Sequence, residues 1–192
     1  KTQQEINDGL ESIAELRSTN PTRKGLRVYV KSWHEGLALG GGDFVATQKS
    51  GLADNGVTVF ASQNPLIFWV RSGVREVTPF MAGAKGDRVQ DDQPAFMSAL
   101  AAGLPVKVEK SANGYRLAAP VSLTLNQVLE GDRERIQVYI DHGGAAFKLT
   151  SYGTLKNFEP RAFDVARRFT FDAVVIGESD TSTAYISNTI DN

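Results

Sequence analysis

Three acidic residues late in the chain have the types and spacing that could support hydrolytic chemistry. They are Asp172, Glu178 and Asp180. Enzymatic cleavage of a glycosidic bond uses two carboxyl groups that face the sugar, about 5 to 10 Å apart. Strand alternation would put the Asp172 carboxylate on the face opposite Phe171 and Ala173, where solvent reaches it. The three acids are therefore catalytic candidates, but exposed acids on a strand are also common as plain protein surface, and that interpretation stays open.

A second acidic group lies in a glycine-containing loop. Asp87, Asp91 and Asp92 follow Gly83 and Gly86. Such a cluster could bind a cation, but turn and cap chemistry explains it more simply. Asp92 precedes an apolar helix whose first N–H groups need acceptors, and aspartates favour turns. We therefore predict that Asp92 caps the helix, that Asp87 and Asp91 form turns, and that no metal is bound.

The other residue types that carry chemistry exclude several kinds of site. The chain has no cysteine, so it forms neither disulfides nor thiolate metal sites. Its two histidines, His34 and His142, are too far apart in sequence to indicate a metal pair, and each is predicted to lie in a turn. We predict no cofactor.

A short helix is predicted within residues 78–103, directly after the acidic loop. Phe96 and Leu100 are spaced to share one apolar face. Gly103 is placed to end the helix in the left-handed conformation. A helix of about ten residues is not stable alone in water. We therefore expect Phe96 and Leu100 to be buried over the open end of a neighbouring apolar structure.

Composition sets further limits on function. The 192 residues carry 21 basic and 22 acidic side chains, for a net charge of −1. This balance argues against binding to nucleic acid. The sequence contains no apolar run of about 18 residues, so we predict no membrane insertion. The chain opens at Lys1 and ends in strand-like residues, and we expect it to be part of a longer protein.

The N-terminal segment, residues 1–20, has a narrow apolar stripe of helical spacing. The stripe consists of Ile6, Leu10, Ile13 and Leu16 and predicts a helix over about residues 3–17. Two interpretations fit this pattern. The helix either packs on its own domain or forms the end of a trimeric stalk.

The rest of the chain reads as β-structure in two parts. Residues 21–76 contain four short strand patterns separated by turn signals, which predicts a small β module. Three consecutive glycines, Gly40 to Gly42, indicate a tight turn or a close backbone approach. Residues 77–192 contain the short helix and then strand after strand. Such spacing suits the first rungs of a parallel β-helix, in which each rung is one complete turn of the solenoid.

Both parts resemble bacteriophage tailspikes of the pectate-lyase-like right-handed β-helix family. In the acidic loop the matching residues are Gly83, Ala84, Gly86, Asp87, Asp91 and Asp92. Arg88 stands where that pattern usually has a third glycine. In the β module the matching residues are Gly40 to Gly42, Phe44, Asp54 to Gly56, Trp69 and Arg71.

The resemblance implies the particle-proximal part of a tailspike. It implies a homotrimer with the apolar stripe at the three-fold axis, attached to other phage tail or tailspike proteins. It further implies a virion protein that is assembled in the cytoplasm of the bacterial host and acts at the bacterial cell surface. The expected role is structural: to trimerise, to link the spike to the virion and to present a distal region that binds bacterial surface polysaccharide. The alternative is a polysaccharide depolymerase with active acids partly within this chain.

Overall fold

The computed structural model describes residues 9–132, 135–149, 152–164 and 174–176. The chain forms two compact units. The first comprises Lys1–Arg75 with Phe80–Gly83, and the second comprises Glu76–Pro79 with Ala84–Asn192. In the described residues, no helix is long and apolar enough to cross a membrane. The described residues are mainly β with two α-helices, and the mainly β fold agrees with the sequence prediction.

The described residues of the first unit form an antiparallel sheet and an α-helix. Helix α1 spans Ile13–Ser18. The strands are β1 (Arg27–Ser32), β2 (Gly40–Gln48), β3 (Val59–Ala61) and β4 (Ile67–Arg71). They pair in the order β1-β2-β4-β3. In β1 exposed and buried residues alternate, so one face of the sheet is apolar and needs a cover.

The start of α1 corrects the predicted helix. Residues 9–12 do not continue it, because the backbone of Leu10 is already paired with β1. The Leu10 N–H donates to the Tyr29 carbonyl at 2.8 Å, and the Leu10 carbonyl accepts from Lys31 N–H at 2.8 Å. Ser12 then caps the helix, with its hydroxyl accepting from the Glu15 N–H.

The apolar stripe packs within its own unit. Leu10, Ile13 and Leu16 are at most 1% exposed and share a core with Trp69 and Phe44. The apolar face of the sheet supplies the partner that the stripe needs. The three side chains are therefore not available for contacts at a three-fold axis. They pack on their own unit, which is the first of the two interpretations of the stripe. Ile6 lies outside the described residues.

The glycine triplet marks a close backbone approach within a strand. Gly40, Gly41 and Gly42 all lie in β2. A Cβ atom on Gly41 would come within 2.3 Å of the Val30 carbonyl oxygen, and one on Gly40 within 1.9 Å of the Phe80 carbonyl oxygen. Larger residues would therefore force these backbones apart.

The second unit is a parallel β-helix. Its strands and helix, in chain order, are β5 (Asp87–Asp91), α2 (Gln93–Ala101), β6 (Val106–Val108), β7 (Gly114–Leu117), β8 (Val121–Leu123), β9 (Val128–Gly131), β10 (Ile136–Ile140), β11 (Phe147–Leu149), β12 (Thr154–Lys156), β13 (Phe158–Ala162) and β14 (Val174–Ile176). They form three parallel sheets, ordered β13-β10-β7-β5, β14-β11-β8 and β12-β9-β6. Equivalent positions on successive rungs stack, as Tyr115, Val138 and Pro160 do in the first sheet.

Helix α2 takes the place of a middle-sheet strand in the first rung. It lies between β5 and β6 in the chain, as β8 lies between β7 and β9, and it packs against β8. Phe96 is fully buried and Leu100 is 2% exposed. The Phe96 ring meets the Tyr115 ring edge-on, with centroids 5.2 Å apart. The expected burial of both residues is confirmed, and so is the left-handed Gly103, which follows α2 with φ +74°.

Four strands lie where the sequence shows no strand pattern, namely β5, β9, β12 and β13. Strand β13 contains Pro160 and charged residues, which usually argue against a strand. Its pairing with β10 overrides that local preference. The strand predicted around residues 169–176 is described only as β14, and the one predicted near residues 184–190 lies outside the described residues.

Candidate functional site

Asp172, Glu178 and Asp180 all lie outside the described residues. Their catalytic role stays a prediction.

Asp92 performs a different task from the predicted helix cap. Its carboxylate accepts hydrogen bonds from the Lys85 N–H at 2.8 Å and the Gly86 N–H at 3.1 Å, and no helix N–H donates to it. The side chain is fully buried. Burial raises the pKa of Asp92 to about 6, aided by the nearby Asp87 and Asp91 carboxylates and opposed by the two N–H donors. Asp92 therefore holds the glycine loop in place.

Asp91 supplies the capping contact instead. Its Oδ1 accepts from the Gln93 N–H at 3.1 Å, at the start of α2, and from the Ala118 N–H at 3.0 Å, one rung further on. One carboxylate thus joins the helix start to the next rung. Asp92 occupies the N-cap position, as predicted, but its side chain makes no capping hydrogen bond. Only the folded loop shows which carboxylate faces which N–H groups.

Asp87 forms the predicted turn. Its Oδ1 accepts from the N–H groups of Val89 and Gln90, each at 2.8 Å. Partial burial acts to raise the pKa of Asp87, but these two hydrogen bonds and the Lys85 charge outweigh it, so the pKa lies below its usual value. No three His, Cys, Asp or Glu side chains converge as metal ligands anywhere in the described part of the chain.

Arg88 adopts the backbone conformation of the glycine that it replaces. Its φ is +61°, beside +60° for Gly86. This left-handed conformation costs an L-residue about 1 to 2 kcal/mol relative to ordinary backbone. The turn made by Asp87 encloses Arg88 and maintains the conformation. The side chain is thereby directed along the outer face of the first sheet, where its guanidinium lies 3.8 Å from the centre of the Tyr139 ring.

The position of the Tyr139 ring depends on Gly114, which has no side chain to occupy the same space. Gly114 lies in β7, next to β10, and a Cβ atom there would be 2.5 Å from Tyr139 Cε2. The Tyr139 ring lies over Gly114 and is only 7% exposed. It is in register with Arg116 and Arg161, whose side chains are more exposed. The space left by Gly114 therefore allows Arg88 and Tyr139 to stack.

A second arginine fixes the same face. Arg116 donates two hydrogen bonds to Asp141 Oδ2, at 2.9 and 2.5 Å, and a third to the Val89 carbonyl at 2.8 Å. Its guanidinium also lies 5.2 Å from the centre of the Phe163 ring. A planar guanidinium that meets several acceptors is held in one orientation. Arg116 thus connects three successive strands of the sheet.

Beside this cluster lies an open cavity of about 460 Å³, lined by Asp87, Arg88, Val89, Asn113 and Phe163. It combines a cation, a carboxylate, an amide and two apolar surfaces. Among the described lining residues Asp87 is the single carboxylic acid, so this cavity does not supply the acid pair of a glycosidase. Its composition suits binding of a small polar molecule.

The sequence patterns did not predict this cluster. The available signal was recurrence: Arg116, Tyr139 and Arg161 occupy equivalent positions on successive rungs. Positions that share a register point to the same side of a sheet, which would have placed these three side chains together. Recognition of the signal requires the rung length, which the irregular β5 and β13 conceal.

Comparison with known proteins agrees with this architecture of a small sheet unit followed by a parallel β-helix. Residues 9–74 match the family described as phage tail protein small four-stranded beta-sheet domain. Two curated relatives are similar over short segments. The amylovoran biosynthesis protein AmsF of Erwinia amylovora is 34% identical over 91 residues, 46% of this chain and 12% of that protein. The Mu-like prophage FluMu defective tail fiber protein of Haemophilus influenzae is 40% identical over 62 residues, 32% of this chain and 10% of that protein.

Solved structures share the fold over most of the chain. Tailspike protein 2 of bacteriophage CBA120 matches 78% of this chain and 20% of its own length in the full-length structure, with TM-score 0.68 and 26% identity. Its enzymatically active domain matches 96% of this chain and 28% of its own length, with TM-score 0.76 and 23% identity. Tailspike protein gp49 of Acinetobacter baumannii bacteriophage Fri1 matches 92% of this chain and 37% of its own length, with TM-score 0.69 and 14% identity. The chain therefore covers only a fraction of each protein that it matches.

These matches show an N-terminal sheet similar to a phage tail domain, followed by a parallel β-helix. The chain is thus similar to phage tailspikes, and the resemblance stated from the sequence is confirmed.

Proposed function

We propose that this chain is the particle-proximal part of a phage tailspike. In this proposal the first unit attaches the spike to other phage tail or tailspike proteins. The second unit begins a solenoid that presents a distal region, which binds bacterial surface polysaccharide. The protein is assembled in the host cytoplasm, is carried on the phage tail and acts at the bacterial cell surface.

The observation that carries the proposal is the order of the two parts. A sheet unit that matches a phage tail domain over residues 9–74 is followed in the chain by the first rungs of a β-helix. Helix α2 covers β8, in the position where an earlier strand of the middle sheet would pair. Further rungs can therefore stack only beyond β12, β13 and β14. This geometry supports a role at the start of a longer spike.

Trimer formation is part of the proposal. The resemblance to tailspikes supports it, but the buried stripe of Leu10, Ile13 and Leu16 is not available for it. The trimer contacts must come from other residues of the spike. Light scattering of the chain at tens of micromolar would test the proposal, since a monomer mass would contradict a trimer formed by these residues.

The alternative is a depolymerase whose active acids lie partly within this chain. It is favoured by neighbours in fold, since gp49 is described as a capsular polysaccharide depolymerase. A cleavage assay on host polysaccharide, with this chain and the longer tailspike that contains it, separates the two functions. We expect reducing-sugar release by the longer protein and none by residues 1–192. Release by the chain alone that is abolished by Asp172→Asn or Glu178→Gln would establish the alternative.

A further inference from the structure

We propose that the cavity beside Arg88 binds a neutral, hydroxyl-rich sugar unit without cleaving it, and that Arg88 determines its specificity. This inference goes beyond the proposed function, which assigns saccharide recognition to a distal region of the spike. It concerns only the second unit and the residues Asp87, Arg88, Val89, Asn113 and Phe163.

The backbone of Arg88 is strained. An L-residue is held in the left-handed region where glycine would be free of strain. Arg88 is nevertheless exposed, so burial of apolar surface does not explain why an arginine stands there. Residues strained in this way cluster at functional sites. Compared with a glycine at position 88, arginine adds a long side chain with a guanidinium group.

The described hydrogen bonds of Arg88 use few of its N–H donors. A guanidinium carries five N–H donors. One described hydrogen bond uses them, from Nη2 to the Phe163 carbonyl at 3.4 Å, which is long. Stacking on Tyr139 holds the plane of the group without using a donor. The remaining donors are therefore in place for a ligand at the cavity that Arg88 lines.

The charges in and around the cavity are balanced. Asp87 shares the lining with Arg88, and its carboxylate is kept ionised by two N–H donors. Nearby, Arg116 is paired with Asp141 and Arg161 with Glu159. The face therefore presents balanced charges and does not favour an anion over a neutral ligand.

The residues that line the cavity complement the chemical groups of a sugar. Sugar hydroxyls both donate and accept, which matches a guanidinium, a carboxylate and the Asn113 amide in one cavity. Val89 is 73% exposed and, with the Phe163 ring, offers apolar surface to the C–H groups of a pyranose ring. The cavity is wide open to solvent, and its volume of about 460 Å³ has room for one sugar ring. Because Asp87 is the single acid of the described lining, we infer binding without hydrolysis.

The test uses the 192-residue chain and titration by ligand-observed NMR. The probes are neutral hexoses, N-acetylhexosamines, 6-deoxyhexoses and the uronic acids of the same hexoses. We expect saturable binding of at least one neutral sugar, and weaker binding of its uronic acid. Arg88→Gly removes the guanidinium and relieves the backbone strain, so the variant should stay folded while affinity falls about tenfold or more. Arg88→Lys should also weaken binding, because a lysine cannot form the planar fork.

Arg161→Ala is the matched control, since Arg161 is an exposed arginine on the same sheet that does not line the cavity. Its affinity should equal that of the unmodified chain. The proposal is overturned by absence of saturable binding across the panel, by unchanged affinity in Arg88→Gly, or by tighter binding of the uronic acids. None of these results bears on attachment to the virion, so the proposed function is tested separately.

Discussion

The Arg71 guanidinium lies 4.6 Å from the centre of the Phe44 ring, inside the sheet unit. It donates to the carbonyl oxygens of Val57 at 3.0 Å, Gly40 at 2.9 Å and Gly41. Burial lowers the pKa of Arg71 to about 10. Among the described residues Arg71 forms no ion pair, so backbone carbonyls and one ring stabilise its charge. A Cβ atom on Gly42 would lie 3.0 Å from Arg71 Nη1, so this glycine leaves room for the guanidinium.

Replacement of Arg71 by lysine should destabilise the sheet unit. A lysine keeps the charge but cannot reach three carbonyls from one planar group, so buried acceptors lose their donors. We expect the free energy of unfolding to fall by about 2 to 4 kcal/mol. Denaturant unfolding measures the change, and Arg27→Lys on the exposed side of β1 should change it by less than about 0.5 kcal/mol. Equal stability of the two variants would contradict the assigned role.

Asp92 should make the β-helix unit more stable in mild acid than at neutral pH. The folded pKa of Asp92 is raised from 3.8 to about 6, so between these values the folded state binds more protons than the unfolded state. The stability contribution is full below pH 4 and is lost as the pH rises through 6. The expected loss between pH 4.5 and 7.5 is about 2 kcal/mol.

Asp92→Asn should remove this part of the pH dependence, because the amide does not titrate. Asp43→Asn, which changes an exposed carboxylate in β2, serves as the control and should leave the dependence in place. Thermal unfolding across this pH range measures both. A pH profile that is the same with and without the Asp92 carboxyl group would show that another group is responsible.

Gly114 should tolerate no side chain, because a methyl group would meet the Tyr139 ring. Gly114→Ala combines an unfavourable φ of +83° with a Cβ contact at 2.5 Å. Gly103→Ala is matched in backbone, at φ +74°, but its Cβ would meet nothing within 4 Å. We expect a cost of about 1 kcal/mol at Gly103 and about 2 to 4 kcal/mol at Gly114. The difference isolates the clash, and similar costs at both positions would disprove the stacked arrangement of Arg88 and Tyr139.

Local chemistry predicted much of the fold. Periodicity located α2 and its buried residues Phe96 and Leu100, since they lie within one short segment. The same reasoning misplaced the start of α1, because Leu10 has a helical spacing but pairs with β1 through its backbone. It missed β13 because Pro160 is unfavourable in a strand, and only the neighbouring rung stabilises it there.

The candidate site was less predictable than the fold. Asp92 could be identified as an important acid, but its partners Lys85 and Gly86 are backbone groups whose positions depend on the folded loop. Arg88 and Tyr139 are far apart in sequence and meet only through the register of three strands. The sequence shows that Arg88 departs from the family pattern, which usually has glycine there. In the structure Arg88 adopts a left-handed backbone and stacks on Tyr139.

The central claim is that residues 9–74 attach a tailspike to the virion, while the following β-helix leads to the saccharide-binding region. The most direct test is a phage whose tailspike lacks only residues 9–74. We predict that purified particles of this phage lack the spike by quantitative mass spectrometry, whereas the shortened spike, purified separately, still binds host polysaccharide. Particles that carry the shortened spike at the normal copy number would contradict the claim.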